Sequence, residues 1–251
     1  MVNFSREITH TEYKYLEKLK KYFHKVNKQI YRIPHGLDKL NKEQQKKYRY
    51  TTDEYIMFHT KGTITPFLGI GISLFLVISS LFSDDTFEGF GLYLFIFFCI
   101  LTIFFIIYYF TKPKKEQILN RKDGLITMTG FYWQKNITMP FKKCLFAYST
   151  GGEDGTSSFM LQVIRPANSR LSSFDDFIIG GGDCYENMSF ICWYMDKNRP
   201  LPPGDAFDEF RQQDFERRKA AGFPKPLYPS AIKTPEATAA QQKEREAIGG
   251  W

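Results

Sequence analysis

Cysteine and histidine are scarce in this chain, with four of each among 251 residues. No two cysteines have the CxxC spacing, and the four histidines all precede residue 60. A zinc site needs Cys and His ligands at close, regular spacing, and a disulfide framework needs a set of paired cysteines. The sequence therefore predicts no metal site and no disulfide framework, and we expect no cofactor.

Motifs that carry chemistry are also missing. The glycine-rich segments 151–155 and 180–183 match neither of the phosphate-binding patterns G-x-x-x-x-G-K-[ST] and G-x-G-x-x-G. No G-x-S-x-G nucleophile motif occurs. Acidic pairs such as Asp175-Asp176 have no histidine or nucleophile at a useful spacing. The sequence predicts a protein that is not an enzyme.

Charge is missing from two long segments, residues 64–82 (ITPFLGIGISLFLVISSLF) and 89–110 (GFGLYLFIFFCILTIFFIIYYF). Each is about 20 residues long, and a helix of that length crosses a hydrocarbon core of about 30 Å. Only SDDTFE lies between them. The sequence predicts a transmembrane helical hairpin, with a buried helix pair of a soluble protein as the alternative.

Basic residues are absent from 63–110 but abundant on both sides of it. Residues 1–62 contain 14 Lys and Arg against 7 Asp and Glu, and residues 111–251 contain 20 against 17. Cytoplasmic flanks of membrane spans collect Lys and Arg. We therefore expect a multi-pass membrane protein with both termini in the cytoplasm. No nucleic-acid recognition module accompanies the net charge of +7, and we expect no nucleic-acid partner.

Lysines and tyrosines border the apolar runs. Lys61 precedes the first run, and Lys112, Lys114 and Lys115 follow the second. These lysines are candidate contacts to anionic lipid headgroups. Tyr108 and Tyr109, at the end of the second run, are candidate interfacial anchors.

Gly69 and Ser73 are four residues apart in the first run, a small-xxx-small spacing that lets a second helix approach closely. They pack either the two helices of the hairpin or a homo-oligomer. Neither run contains an Asp, Glu, Lys, Arg or His side chain, which disfavours a transporter or proton path. A pore would need oligomerisation through the Gly69 and Ser73 face, and the large cytoplasmic part of the chain disfavours it.

Before the apolar runs, the sequence favours helices. Apolar residues over Thr11–Ile30 recur at a 3-4-3-4 spacing, which predicts one amphipathic helix with lysines on its other faces. It packs either on the inner leaflet or on the protein's own domain. Asp38–Arg49 is predicted to form a second, solvated helix. Residues 1–62 are thus expected to be a basic helical region.

After the runs, the pattern changes to that of an α+β domain over 111–203. Gly124–Phe131, Lys135–Ser149 and Ser158–Arg165 are rich in β-branched and aromatic residues and predict an antiparallel meander. A helix from about Glu186 to Asn198 is expected to cap it, with a pleckstrin-homology-like sheet as one solution.

The tail, residues 204–251, contains prolines that separate its predicted helices. A helix is expected over Gly204–Ala221, with acidic residues at its start and Gly222 after it. The segment FPKPLYPSAIK cannot be helical. A last helix is predicted to open at Thr234-Pro235-Glu236 and to close at Gly249-Gly250.

The segment WYMDKNRPLPPGDAF followed by FRQQDFERRKAAGFPKPLYPS resembles a family of uncharacterised bacterial two-span membrane proteins associated with type VI secretion effector loci. The resemblance covers roughly residues 60–251. It implies a bacterial inner-membrane protein that acts as an immunity or accessory factor for a secreted toxin. The family's motifs carry no known chemistry, so no catalytic residue transfers to this chain.

Two classes of function remain open. The first is a membrane-anchored domain that binds a protein partner, such as a toxin or a secretion component. The second is a lipid-headgroup-binding module or a membrane-bound enzyme that acts on lipids. A hydrophobic groove without a polar pocket favours the first, and convergent His, Asp and Ser side chains near the membrane favour the second.

Overall fold

The computed structural model describes residues 5–14, 16–19, 24–59, 64–83, 86–148, 159–167, 170–177, 179 and 182–251. The chain divides into two compact units. One contains residues 1–59, 116–129 and 136–251 and is called the sheet unit below. The other contains residues 60–115 and 130–135 and is called the helix-pair unit.

The strands are short and all antiparallel in their pairing. They are β1 (His24–Val26), β2 (Arg49–Thr51), β3 (Tyr55–His59), β4 (Glu116–Asn120), β5 (Leu125–Met128), β6 (Ile137–Pro140), β7 (Phe146–Tyr148), β8 (Leu161–Ile164) and β9 (Phe174–Asp176). One sheet has the order β2-β3-β4-β5-β6 and the other the order β1-β7-β8-β9. The α+β class and the antiparallel pairing expected from the sequence are confirmed.

The helices differ widely in length and composition. They are α1 (Leu16–Leu19), α2 (Lys42–Lys47), α3 (Ile64–Ser80), α4 (Gly89–Thr111), α5 (Arg170–Ser173), α6 (Cys184–Met195), α7 (Asp208–Ala220) and α8 (Ala239–Gly249). Helix α6 has eleven of its twelve residues buried, all but Tyr185. It shares one hydrophobic core with inward-facing residues of both sheets, such as Leu119 and Val163. The predicted capping helix is therefore a central one.

The N-terminal region contains three strands, and the long helix predicted over Thr11–Ile30 is wrong. Among the described residues of that range only Leu16–Leu19 is helical, and His24–Val26 is a strand. Strand β1 pairs with β7, so that Val26 lies opposite Phe146. The extended chain places Val26 and Ile30 in the core. Pairing with a strand more than 100 residues away satisfies the backbone here, and a local helical spacing does not reveal it.

Two more expectations about the sheet unit are corrected. The predicted strand Lys135–Ser149 is two strands in different sheets, β6 and β7, separated by a 3-10 turn over Phe141–Lys143. The last helix starts at Ala239, capped by Thr238, and not at Thr234. Thr234 and Glu236 instead bind buried arginines. Gly250, with φ of 70°, ends that helix as predicted. The predicted glycine turn 151–155 lies outside the described residues.

The apolar runs form α3 and α4. In the chain these helices lie between β3 and β4, two strands that pair with each other in the sheet. Among the described residues, α4 alone is long and apolar enough to cross a membrane. Helix α3 has 17 residues, and residues 60–63 before it lie outside the described part. A hairpin of two spanning helices is therefore not shown by the structure, and it is taken up again below as a proposal.

Candidate functional site

Helices α3 and α4 pack closely where the first carries small residues. A Cβ atom on Gly69 would lie 2.7 Å from the ring of Phe105, so only glycine allows this approach. One turn further on, Ser73 is buried, and its hydroxyl accepts a hydrogen bond of 2.9 Å from the Thr102 hydroxyl. Gly69 and Ser73 thus face α4 of the same chain. A homo-oligomer through this face would have to displace α4.

Much of the rest of the pair is exposed. Thr102 is the one buried residue of α4, and large apolar side chains such as Ile100 and Phe97 are more than half exposed. Gly71 of α3 has no atom within 4 Å of where its Cβ would lie. Large exposed apolar patches of this kind mark surfaces that contact other proteins or membranes.

The end of α4 carries a cluster of aromatic rings. The loop Gly130–Lys135 (GFYWQK), called the aromatic loop below, connects β5 and β6 and belongs to the helix-pair unit. The ring centroid of Trp133 lies 4.9 Å from that of Tyr108 and 5.7 Å from that of Phe104. Its indole N–H donates to the Thr111 hydroxyl at 2.8 Å. The polar atom of Trp133 is thereby satisfied within the protein.

Tyr132 also contacts Tyr108, at a ring-centroid distance of 5.4 Å, and its ring stacks with that of Trp133 at 6.1 Å. Its φ of 44° lies in the left-handed region, which a tyrosine rarely adopts. A Cβ atom on Gly130 would lie 2.1 Å from the carbonyl oxygen of Lys135, so the loop closes too tightly for any other residue there. The backbone of this loop therefore has a strained, defined conformation, which fixes where its aromatic rings lie.

The lysines after α4 have distinct positions. The Lys115 ammonium donates to the carbonyl oxygens of Gly130 at 2.8 Å and Gln134 at 2.6 Å, so it ties both ends of the aromatic loop. The Lys112 ammonium lies 5.7 Å from the ring centroid of Tyr109. Lys114 is exposed. Lys61 lies outside the described residues.

Sequence reasoning identified Tyr108 and Tyr109 but missed Tyr132 and Trp133, which the tertiary structure brings to the same place. One feature of the sequence could have indicated these two residues. Three consecutive aromatic residues, Phe131–Trp133, occupy the short connection between two antiparallel strands, where polar turn residues are usual.

Polar clusters of the sheet unit hold segments together. The His35 ring nitrogen Nδ1 hydrogen-bonds to Glu186 of α6, and the His35 backbone N–H donates to the same carboxylate at 2.9 Å. Arg32 pairs with Asp183, the N-cap of α6, at 2.6 Å. These contacts fix the segment before α2 on the first turn of α6.

Buried ion pairs hold the tail. Asp214 of α7 accepts hydrogen bonds from Arg121 at 2.6 Å and Arg218 at 2.8 Å. Arg218 also donates to both oxygens of Glu236, which Arg245 of α8 contacts at 3.0 Å. Burial by itself raises the pKa of Asp214, but the guanidinium groups of Arg121 and Arg218 outweigh burial and bring that pKa below its usual value.

Within the described part of the chain, no three His, Cys, Asp or Glu side chains converge as metal ligands. The cysteines there are free thiols, and three of them are buried. Burial raises the pKa of the Cys144 thiol to about 12, which keeps it protonated and unreactive at neutral pH.

No protein-family model, curated protein or solved structure matches this chain. The function must therefore be argued from its own residues. The cluster at the end of α4, with its aromatic rings and lysines, is the candidate site in the described part of the chain.

Proposed function

We propose that α3 and α4 form a transmembrane hairpin that anchors the sheet unit at the inner face of a bacterial membrane. The observation that carries this proposal is α4 itself, a 23-residue apolar helix with a single buried residue and an aromatic and lysine cluster at one end. Tryptophan and tyrosine concentrate where a span leaves the hydrocarbon core, and lysines follow on the cytoplasmic side.

Helix α3 is a candidate for the second span because of its length and because apolar residues continue beyond its end. Its 17 residues extend about 26 Å at 1.5 Å per residue, against a hydrocarbon core of about 30 Å. Leu81 and Phe82 follow it directly and are exposed. Its contacts with α4 through Gly69 and Ser73 are of the kind that associate helices in lipid. Both termini then lie in the cytoplasm.

We propose that the anchored unit binds a protein partner and does not catalyse a reaction. A hairpin anchor confines a binding domain to one surface, which raises its local concentration there. The family resemblance suggests the partner, a toxin or a component of type VI secretion, and hence a role as an immunity or accessory factor. A pleckstrin-homology-like arrangement of the sheets stays a prediction.

The alternative is a module that binds lipid headgroups or acts on lipids. The aromatic loop and the lysines near it favour contact with lipid. No convergent set of His, Asp and Ser is present there among the described residues, so binding is better supported than chemistry.

A charge placed in α4 tests the anchor. An arginine at the centre of a span costs about 2.5–3.5 kcal/mol on insertion, so Ile100→Arg is expected to lower the fraction of protein that resists alkaline carbonate extraction. Phe110→Arg is the matched control, because a charge near the end of a span reaches the headgroups. Complete extraction of the wild-type protein by carbonate would refute the anchor.

Topology is tested by a single cysteine at Asp84, between the helices. A membrane-impermeant maleimide that reaches only the non-cytoplasmic face of the intact inner membrane is expected to label this cysteine. Labelling from the cytoplasmic side alone would reverse the proposed orientation.

The partner is tested by affinity purification of the full chain in mild detergent, followed by mass spectrometry. Recovery of a secreted toxin supports the immunity role. Recovery of phospholipid without any protein partner would favour the headgroup-binding alternative.

A further inference from the structure

We propose that the aromatic loop, Gly130–Lys135, inserts into the headgroup layer of the bilayer that α4 crosses, with Trp133 and Tyr132 at the depth of the lipid ester groups. The proposal rests on the membrane anchor proposed above. It adds a second membrane contact, made by the connection between two strands of the sheet unit. Its partner is phospholipid, preferentially anionic.

Continuity with the lipid-facing helix is the first argument. Trp133 contacts Phe104 and Tyr108 with one side of its ring, yet 44% of the residue stays exposed. Ile107 lies one turn from Phe104 and from Thr111 along α4, and it is 52% exposed. The exposed part of Trp133 thus continues an apolar surface that α4 already presents to lipid.

The state of the indole N–H is the second argument. An exposed tryptophan in water normally directs its N–H to solvent. Here the N–H donates to Thr111 at the last turn of α4, which leaves the apolar body of the ring outward. Tryptophan, whose ring has an apolar body and one polar atom, concentrates at membrane interfaces.

Charge is the third argument. The segments 111–115 (TKPKK) and 130–135 (GFYWQK) together contain four lysines and no acidic residue. Lys112, Lys114 and Lys115 follow α4, and Lys135 ends the loop. A positive potential beside exposed aromatic rings complements an anionic leaflet.

The loop is also organised in advance. Lys115 holds the carbonyl oxygens of Gly130 and Gln134, and the backbone N–H of Gln134 donates to the carbonyl of Phe131 at 2.8 Å. The rings therefore need little ordering when they meet lipid. Because this loop belongs to the helix-pair unit, the chain passes between the two units four times.

The experiment is depth-dependent quenching of tryptophan fluorescence in vesicles that contain the full chain. Vesicles of phosphatidylcholine and phosphatidylglycerol carry brominated phosphatidylcholine, with bromines either near the headgroup or near the chain ends. The Trp133 signal is the difference between wild-type protein and Trp133→Phe. Trp251→Phe is the matched control, because Trp251 hydrogen-bonds within the sheet unit.

We expect shallow bromines to quench the Trp133 signal more strongly than deep bromines, and Trp251→Phe to retain that quenching. Vesicles of phosphatidylcholine alone should give weaker quenching. A Trp133 signal that aqueous iodide quenches and bromolipid does not would overturn the proposal.

A second probe covers the case in which Trp133→Phe does not fold. A fluorophore on Gln134→Cys, an exposed position of the same loop, should be quenched by nitroxide lipids labelled at the headgroup. The failures are distinguishable. If the protein does not float with vesicles, the anchor is refuted, whereas flotation without quenching of either probe refutes the inserted loop alone.

Discussion

Replacing Gly69 and Gly71 of α3 by alanine separates helix packing from helix propensity. The two glycines are two residues apart in the same helix. At Gly69 an added Cβ would lie 2.7 Å from three ring atoms of Phe105, and at Gly71 it would meet nothing within 4 Å. We expect Gly69→Ala to weaken the contact between α3 and α4 and Gly71→Ala to leave it unchanged.

The magnitude follows from two contributions. Alanine is more favourable than glycine in a helix by about 1 kcal/mol, and both variants gain this amount. Carbon atoms in contact prefer separations of about 3.5–4.0 Å, so the Phe105 ring must move by about 1 Å to accept the new Cβ on Gly69. Overpacking of this kind costs about 1–3 kcal/mol. Because the propensity contribution cancels, Gly69→Ala should be less stable than Gly71→Ala by about 1–3 kcal/mol.

The assay is reversible dissociation of the helix pair by sodium dodecyl sulfate in mixed micelles. Energy transfer is followed between dyes on cysteines introduced at Phe67 and Phe110, two exposed positions on α3 and α4, in a chain whose Cys99 is replaced by alanine. Equal stability of the two variants would refute the packing described for Gly69. A destabilised Gly71→Ala protein whose oligomeric state changes would show that the Gly71 side of α3 binds a second chain.

Further expectations concern the sheet unit and its buried groups. Asp214→Asn should lower the free energy of unfolding by about 3–5 kcal/mol, because it leaves buried arginines without their counter-charge. The control is Asp208→Asn in the same helix, whose side chain is 66% exposed and whose loss should cost at most about 1 kcal/mol. Thermal unfolding in detergent measures both variants. Because the pKa of Asp214 is lower in the folded state than its usual 3.8, its contribution to stability is present above that pH and is lost as the pH falls through the folded value. Wild-type protein should therefore lose stability on acidification below about pH 4 more steeply than Asp214→Asn, and equal slopes would contradict the assignment. The Cys144 thiol, with a pKa of about 12 and no exposed surface, should resist iodoacetamide at pH 8 until denaturant is added; labelling of the native protein at Cys144 would show that this part of the core opens.

Local pattern predicted several elements of the sheet unit correctly. The central helix α6 and the tail helix α7 lie within a few residues of their predicted ranges, because apolar periodicity, an acidic first turn and a following glycine act within one or two turns of the chain. The αL residue Gly250 closes α8 for the same reason. These features depend on neighbours in sequence, and a sequence reveals them.

Elements that depend on distant partners were predicted less well. Strand β1 exists because β7 pairs with it, and the 3-4 spacing before Ile30 is equally compatible with an isolated helix. The last helix starts later than predicted because Glu236, at the predicted N-terminus, pairs with Arg218 and Arg245. A buried ion pair between separate segments leaves no periodic signal in either segment.

The candidate site likewise combines features that are local in the sequence with features that depend on distant contacts. The uncharged runs, the lysines after residue 111 and the two tyrosines at the end of α4 are properties of composition and order, so the sequence by itself determined the apolar helices and the chemistry at their border. Only the tertiary structure decided that Gly69 and Ser73 face α4, and that Trp133, twenty-five residues after Tyr108 in the chain, packs against its ring. The physical reason is that apolarity is a property of each segment alone, whereas a contact between rings requires a strand connection to return to the end of a helix.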